Sequence, residues 1–501
     1  MMHRYVQKAA QTVRSRALTR GLLLAAMWPL LPVAAAALDD TGRDRINRYV
    51  DAQVSVIESN AMAIWNLAEV GFQERESSLL LQKTLRAHGF AIDTDVAGMP
   101  TAFVARYRTG PGPVIAILAE FDALPGLSQA AGQTRPVPAP GHDAAHGCGH
   151  NLLGSASAGA AIALRQWLAD TGLNGEVRLY GAPAEEGGDG KVYMVRAGLL
   201  KDVDAVLHWH PGARNGLFSD ASTAMIQTDF TFHGVSTHAA AAPERGRSAL
   251  AGMELMDVAV NYMRQFTPDG TRIHGVVVNG GLAPNVIPDV AKSSYYVRNA
   301  DVRTLQDLQA RLLKTAQGAA MATGTTVTWE LEGGTYPILP NQVLSDVAYA
   351  NLATVAGRLR WTKADADFAH AIQSSLNVPS TEDDVGAIDP VQPSSARPNS
   401  AFSTDVGDIS YVVPTVGFVV ATWPQGAPAH SWAAAAASGS SIGLKGAVVA
   451  ARAIAMTGAD LMLNPDVLAK AKAEMDKRRG AGFEYAAMFG DRAPPLNYRR
   501  K

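Results

Sequence analysis

The run His146-Gly147-Cys148-Gly149-His150-Asn151 holds the only cysteine in 501 residues. A thiol and imidazoles this close together suit a divalent metal ion. The intervening glycines let the backbone turn tightly enough for Cys148 and His150 to point at one place. With no second cysteine, an intrachain disulfide is excluded. Two readings stay open on this run alone: a metal ligand, or a buried thiol with histidine neighbours. The outcome depends on further ligands, and four other places offer them. Glu120-Phe121-Asp122 follows the apolar run at 114–120 (VIAILAE), Glu185-Glu186 precedes Gly187-Gly188, His208-Trp209-His210 ends another apolar run, and His430 comes late in the chain. Adjacent glutamates after a strand point in different directions, so one can bind metal while the other takes a proton from water. The plainer reading of such a pair is a solvated acidic loop. Strand alternation puts His208 and His210 on one face, although either alone also fits a core position. His142 and His146 are further candidates.

The elements around these residues explain why they converge. Residues 40–90 show a helical pattern, with Ile46, Val50, Val54, Ile57 and Ala61 on one face. Strands at 114–120, 176–180 and 205–208 alternate with helices at 155–168 and 191–200, which predicts a mainly parallel sheet with helices on both faces. Such sheets gather their sites in the loops after the strands. The pattern then changes to strand 226–232, helix 248–266, strands 276–278 and 292–298, helix 305–322 and strand 325–331. That β-α-β-β-α-β order predicts an inserted two-layer α+β unit of ferredoxin-like type. The expected fold is therefore α/β, with a catalytic part at 38–225, an inserted lid or dimerisation domain at 226–341, and a second catalytic part at 342–478. Residues 382–400, rich in Pro, Ser and Asp, read as a surface loop, 414–421 as a strand and 443–456 as a closing helix. The basic tail at 479–501 either wraps the surface or is disordered.

Net charge is −2 and 47% of residues are hydrophobic, which supports full cores and gives no sign of a nucleic-acid partner. Arg4, Lys8, Arg14, Arg16 and Arg20 precede the apolar stretch 21–37, which ends in alanines before Asp39-Asp40. This is the pattern of a secretory signal cleaved near Ala37, so the chain is expected to be exported, periplasmic or secreted, and off the membrane once cleaved. A membrane anchor is the alternative, but about 17 residues containing Pro29 and Pro32 are marginal for a span. No later stretch reads as long and apolar enough to cross a bilayer. A lone cysteine in an oxidising compartment needs protection, which bound metal gives.

Several ordered motifs together resemble a known family. They are AEFDALPGLSQ (119–129), HGCGHNLLG (146–154), APAEEGGDGK (182–191), HWHPG (208–212), GVSTHAAAAPERGRSAL (234–250), GGLAPNVIPD (280–289) and STDVGDISYVVPT (403–415). The chain is similar, over about 40–480, to the metallopeptidase and amidohydrolase family of hippurate hydrolases, auxin-conjugate hydrolases, aminoacylases and glutamate carboxypeptidases. The fourth and seventh motifs most resemble its aminobenzoyl-glutamate hydrolase B-type branch. The resemblance implies two divalent metal ions per subunit, zinc or manganese before cobalt or nickel. Their ligands would be Cys148 (bridging both), His150, Glu186, His210 rather than His208, and His430. It further implies Glu185 as general base and His238 as the group that polarises the scissile carbonyl, by domain closure or across a homodimer built by the inserted domain. Asn285 and Arg298 would hold the substrate's polar groups or carboxylate, with Glu120 and Asp122 orienting ligands from behind. The family often has aspartate where this chain has Asn151, which leaves the charge behind the ligands open. The implied activity is hydrolysis of the amide bond in N-acyl amino acids or small dipeptides, aminobenzoyl-glutamate-like compounds among them. The contrasting reading is an exported metal- or ligand-binding protein on an inactive hydrolase scaffold.

Overall fold

The computed structural model describes residues 38–217, 222–380, 385–391 and 402–499. The signal-sequence stretch and most of the loop at 382–400 lie outside them. The strands are β1 (Ala91–Thr94), β2 (Phe103–Arg108), β3 (Val114–Ala119), β4 (Leu124–Pro125), β5 (Ala144–Ala145), β6 (Glu176–Gly181), β7 (Ala205–Gly212), β8 (Gly216–Leu217), β9 (Ala224–His233), β10 (Arg272–Asn279), β11 (Val290–Asn299), β12 (Thr326–Thr335) and β13 (Thr415–Ala421).

The larger sheet has the order β1-β2-β6-β3-β7-β13-β8. Its four middle strands, β6, β3, β7 and β13, run parallel, and the outer pairings are antiparallel. A strand covered on both faces must be apolar at every position, and β3 is buried throughout. Its residues divide by alternation. Ile115, Ile117 and Ala119 face one core, and Val114, Ala116 and Leu118 the other. The first core lies under the helices His150–Thr171 and Ser441–Leu463. The second is closed by Gly190–Arg196, Val406–Ser410 and residues beyond 480, among them the buried Phe489. By length and composition Ser441–Leu463 reaches the mark for a membrane span, contrary to the expectation that nothing after residue 37 does. It is a buried core helix. Small residues let it approach the helix His150–Thr171, with Gly443 against Leu152 and Gly458 against Leu164.

The smaller sheet is antiparallel with the order β10-β11-β9-β12. Counted along the chain this is 4-1-3-2 read from the β12 edge, the ferredoxin-like arrangement expected. Its two helices, Ala249–Arg264 and Val302–Thr323, begin at Ser248 and Asp301, whose side chains accept from backbone N–H groups in the first turn. They bury Met253, Met256, Val260, Leu305, Leu308 and Leu312 against Phe230, Phe232 and Val297 of the sheet.

Two expectations need correction. The helical stretch 40–90 is three helices, Asp40–Asp51, Val54–Leu67 and Arg75–Ala87. Ala68 and Phe72 in the second break take positive φ, a conformation that ends a helix. The outer strands β1 and β2 went unread. In β2 alternation is masked because Phe103, Val104 and Ala105 are all buried, one side chain in the second core and two in the first.

Candidate metal centre

The four parallel strands end at the same edge of the sheet, and the loops after them carry the chemistry. Glu120 and Asp122 follow β3, Glu185 and Glu186 follow β6, His208 and His210 lie within β7, and His430 lies in the loop after β13. Cys148 precedes the helix whose first residue is His150. Gly149 between them has φ +73°, and a Cβ there would lie 2.8 Å from the Pro211 ring. Both the turn and the close approach therefore require glycine. His430 is drawn in by its own N–H, which donates to the Gly147 carbonyl (2.9 Å). Ala184 and His430 adopt left-handed backbone (φ +57° and +56°), which costs a non-glycine residue about 1–3 kcal/mol and tends to mark functional sites.

Three groups of ligand atoms form, each with its atoms within 4.8 Å of one another: Cys148, His150 and His210; Cys148, Glu186 and His430; and Glu120, His150 and Glu185. Cys148 stands in the first two. Its Sγ lies 3.4 Å from His210 Nε2, and His430 Nε2 lies 3.3 Å from Glu186 Oε1. His210 Nδ1 donates to the Pro211 carbonyl (2.7 Å), so in the neutral ring Nε2 presents its lone pair to the cluster. Asp122 is buried and reaches two segments at once. One oxygen accepts from His150 Nδ1 (2.9 Å) and the other from the Glu186 N–H (3.0 Å).

The donors fit two divalent ions. They combine a thiol, imidazoles and carboxylates, the mixed set that borderline metals accept. His150 Nε2 and Glu186 Oε1 are buried and make no hydrogen bond, a costly state for polar atoms unless an ion satisfies them. Burial, reinforced by Glu186, pushes the Cys148 thiol far up, so a thiolate here depends on nearby positive charge. Burial, then Glu186 and Glu120, raises Glu185 well above the usual carboxylate range. Burial opposes protonation of His150, yet Asp122 outweighs it and holds that histidine well above its ordinary value.

Other residues fall differently. Glu120 was expected only behind the ligands, but its Oε2 faces His150 Nε2 at 3.3 Å, while Oε1 accepts from Lys191 Nζ at 2.7 Å. His208 lines the same cleft but joins none of the three groups, and burial lowers its pKa to about 3. His146 is buried with Nε2 on the Ile64 carbonyl (3.0 Å), and His142 is exposed, so neither joins a group. Asn151 donates to the carbonyls of Ala61 and Ser438, a structural part away from the ligand atoms. Arg298 lines the cleft, which measures about 870 Å³. His238 and Asn285 sit together on the inserted unit, where the Ala239 N–H donates to the Asn285 carbonyl (2.9 Å), and neither lines the cleft. Sequence reading missed Lys191 and Asp405, although both stand in quoted motifs. Lys191 is wholly buried and donates to Glu120 and to Asp405 (2.6 Å). It also missed Arg499, which lines the cleft from a stretch with no periodic signal.

Residues 116–455 match Peptidase family M20/M25/M40. The B-type p-aminobenzoyl-glutamate hydrolase protein of Escherichia coli is 36% identical over 87% of this chain and 94% of its own. A mouse Xaa-Arg dipeptidase is 29% identical over 87% and 92%. Among solved structures, a Bacillus subtilis dinuclear metal binding peptidase of the M20 family matches in fold with a TM-score of 0.56, at 18% identity over 82% of this chain and 98% of that one. The chain belongs to Peptidase family M20/M25/M40, whose relatives here are amide-bond hydrolases.

Removing the Lys191 ammonium leaves the buried Glu120 and Asp405 carboxylates uncompensated. Lys191→Met should destabilise the fold by about 3–5 kcal/mol, measured by denaturant unfolding. Adding Asp405→Asn should recover part of that loss.

Proposed function

We propose that this protein hydrolyses the amide bond of N-acyl amino acids or small dipeptides, with aroyl-glutamates such as aminobenzoyl-glutamate the favoured class. The observation that carries the reading is the place of Cys148 in two ligand groups at once. Cys148, His150 and His210 would hold one ion, and Cys148, Glu186 and His430 the other, with zinc or manganese the best match and cobalt or nickel tolerated. When bound, two such ions supply Lewis-acid activation of a water molecule and of the scissile carbonyl. Glu185 then accepts the water's proton on a carboxylate oxygen and delivers it to the leaving amine. Arg298, which lines the cleft, holds a carboxylate of the substrate, and Asn285, outside its own cleft beside His238, would hold a polar group of a substrate bound to a partner.

His238 does not line its own subunit's cleft, which supports a role in a partner's. Its Nδ1 accepts from the N–H groups of Ala240 and Ala241, both at 3.2 Å, which leaves Nε2–H as a donor for the developing oxyanion. The edge strand β10 exposes Val276, Val277 and Val278, and the adjoining helix exposes Val258 and Tyr262. An open apolar sheet edge of this kind supports pairing with a second copy of the chain. Export is supported by the processed terminus it would create. The Leu38 N–H is buried and donates to Asp460 Oδ1 at 2.6 Å, so cleavage after Ala37 would set an α-ammonium on a buried carboxylate.

Glu185→Gln should retain the wild-type metal content while kcat for benzoyl-glutamate falls by about 10²–10⁴-fold. Equal activity in the two proteins removes Glu185 as the general base, and no activity in either across a panel of N-acyl amino acids returns the chain to a binding scaffold. Cys148→Ser should lose metal with an unchanged circular dichroism spectrum.

Subunit exchange tests the shared site. Glu185→Gln and His238→Ala are each inactive alone, and dissociating and reassociating them together should restore about a quarter of wild-type activity, because half the dimers then carry one intact site. No recovery places His238 in its own subunit's site.

N-terminal sequencing of protein recovered from the exported fraction should begin at Leu38. A start at any other residue discards the ion pair with Asp460.

A further inference from the structure

The segment after the last helix, Pro465–Arg479, runs back across both sheets. Phe489 packs on Tyr193 with ring centroids 5.1 Å apart, and Tyr485 Oη donates to the buried Asp408 carboxylate (2.6 Å). Arg492 donates to the carbonyls of Leu331 and Glu332 in β12 and pairs with the Glu332 carboxylate, which ties the segment to the inserted unit. The Leu496 carbonyl then accepts from Gln73, and Tyr498 packs edge-on against Phe72 with ring centroids 5.7 Å apart. Tyr498 Oη (3.0 Å) and Arg499 Nη2 (2.7 Å) both donate to the carbonyl of Glu186. The Arg499 guanidinium also lies over the Tyr498 ring, 4.8 Å from its centroid. The chain thus returns from its far end to place a cation beside a residue of the metal cluster.

That cation has company. Arg272, Arg298 and Arg499 all line the cleft. Their hydrogen-bond partners are neutral: the Thr271 carbonyl, Ser403 Oγ and the Glu186 carbonyl. Among the described residues none of the three forms an ion pair. The acids of the same cleft are engaged otherwise, with Glu120 and Asp405 on Lys191, Asp189 accepting from the Gly334 N–H, and Glu185 and Glu186 in the ligand groups. The Arg298 guanidinium lies 5.4 Å from the centre of the Tyr296 ring, which lines the same cleft. Two guanidiniums lining one cleft, neither in an ion pair among the described residues, offer a receptor for two anionic groups on one ligand.

We infer that Arg499 is a substrate-binding residue that works with Arg298 to select N-acyl amino acids carrying two carboxylates, the acyl-glutamates and acyl-aspartates, over their monocarboxylate analogues. The inference rests on the amide-hydrolase reading and adds to it the side-chain charge of the substrate. Arg298 takes one carboxylate, and Arg499, delivered by the returning segment, takes the second.

The test compares N-benzoyl-glutamate with N-benzoyl-glutamine, which differ only in that second carboxylate, on the metal-loaded full chain with Arg499, Arg499→Gln or Arg499→Lys. The wild type should prefer the glutamate compound. Arg499→Gln should reduce that preference by about tenfold or more, the worth of a charged hydrogen bond, mainly through KM. Arg499→Lys should keep part of it. Metal content by atomic emission should be the same in all three. Calorimetry on metal-stripped protein gives an independent reading, in which N-benzoyl-glutamate should bind more weakly to Arg499→Gln than to wild type. An equal loss on both compounds, a loss of metal, or an unchanged preference overturns the inference while the hydrolase reading stands. If the wild type hydrolyses neither compound, yet its metal-stripped form binds N-benzoyl-glutamate in an Arg499-dependent way, the anion site stands and the hydrolase reading falls.

Discussion

The site depends on a single buried carboxylate. Asp122 accepts from the ring of His150 with one oxygen and from the backbone of Glu186 with the other. These two segments are distant in the chain, one at the start of the helix His150–Thr171 and the other in the loop after β6. Burial alone would make Asp122 hard to ionise, but the interaction with His150 holds its pKa below the usual carboxylate value. Ionised, it fixes which nitrogen of His150 bears the proton and points the other at the cluster. It also sets the backbone at Glu186 and hence the direction in which the adjacent carboxylates leave the chain. Metal ligands held this way need little rearrangement to bind.

So much charge is stable at the end of an apolar sheet because it is compensated in layers. Behind the cluster Lys191 joins Glu120 to Asp405, which converts three isolated buried charges into one network. Glu74 works in the same layer. Burial, then Asp122, raises it to about 8, and it accepts from the Ala184 N–H at 2.8 Å. That bond holds Ala184 in left-handed backbone, which turns the chain so that Glu185 and Glu186 face the cleft. The strain at Ala184 and the burial of Glu74 are thus parts of one arrangement, in which a loop that would relax in water is held for the residues that follow it.

Legibility in the sequence followed the range of the forces involved. The ligand positions were readable because strands of alternating or wholly apolar pattern deliver their next residues to one edge, and metal-binding side chains are rare types in tight spacing. The inserted unit was readable because each of its elements buries one face, so periodicity survives, as in Phe230 and Phe232 or Leu305, Leu308 and Leu312. The break in the helical stretch at 40–90 was not, because Ala68 and Phe72 are ordinary residues held at positive φ by their surroundings. Neither was β2, where burial on both faces removes the alternation. Lys191 went unread, since nothing local says that its partner stands 214 positions away at Asp405.

The segment beyond residue 480 marks the limit of such reading most clearly. It has no periodic pattern, and its basic residues fit a solvated tail as well as a packed one. Its structure comes from long-range contacts with side chains fixed by other elements: Asp408 for Tyr485, Tyr193 for Phe489, Glu332 for Arg492 and Phe72 for Tyr498. Each anchor lies on a different element, so the segment can take this path only after both sheets have formed. Arg492 is tied to β12 of the inserted unit while Arg499 rests on Glu186, so a stretch of seven residues joins that unit to the cleft of the larger sheet. The position of the cation beside Glu186 is thus set by the inserted unit and the larger sheet together, through contacts that no local sequence pattern announces.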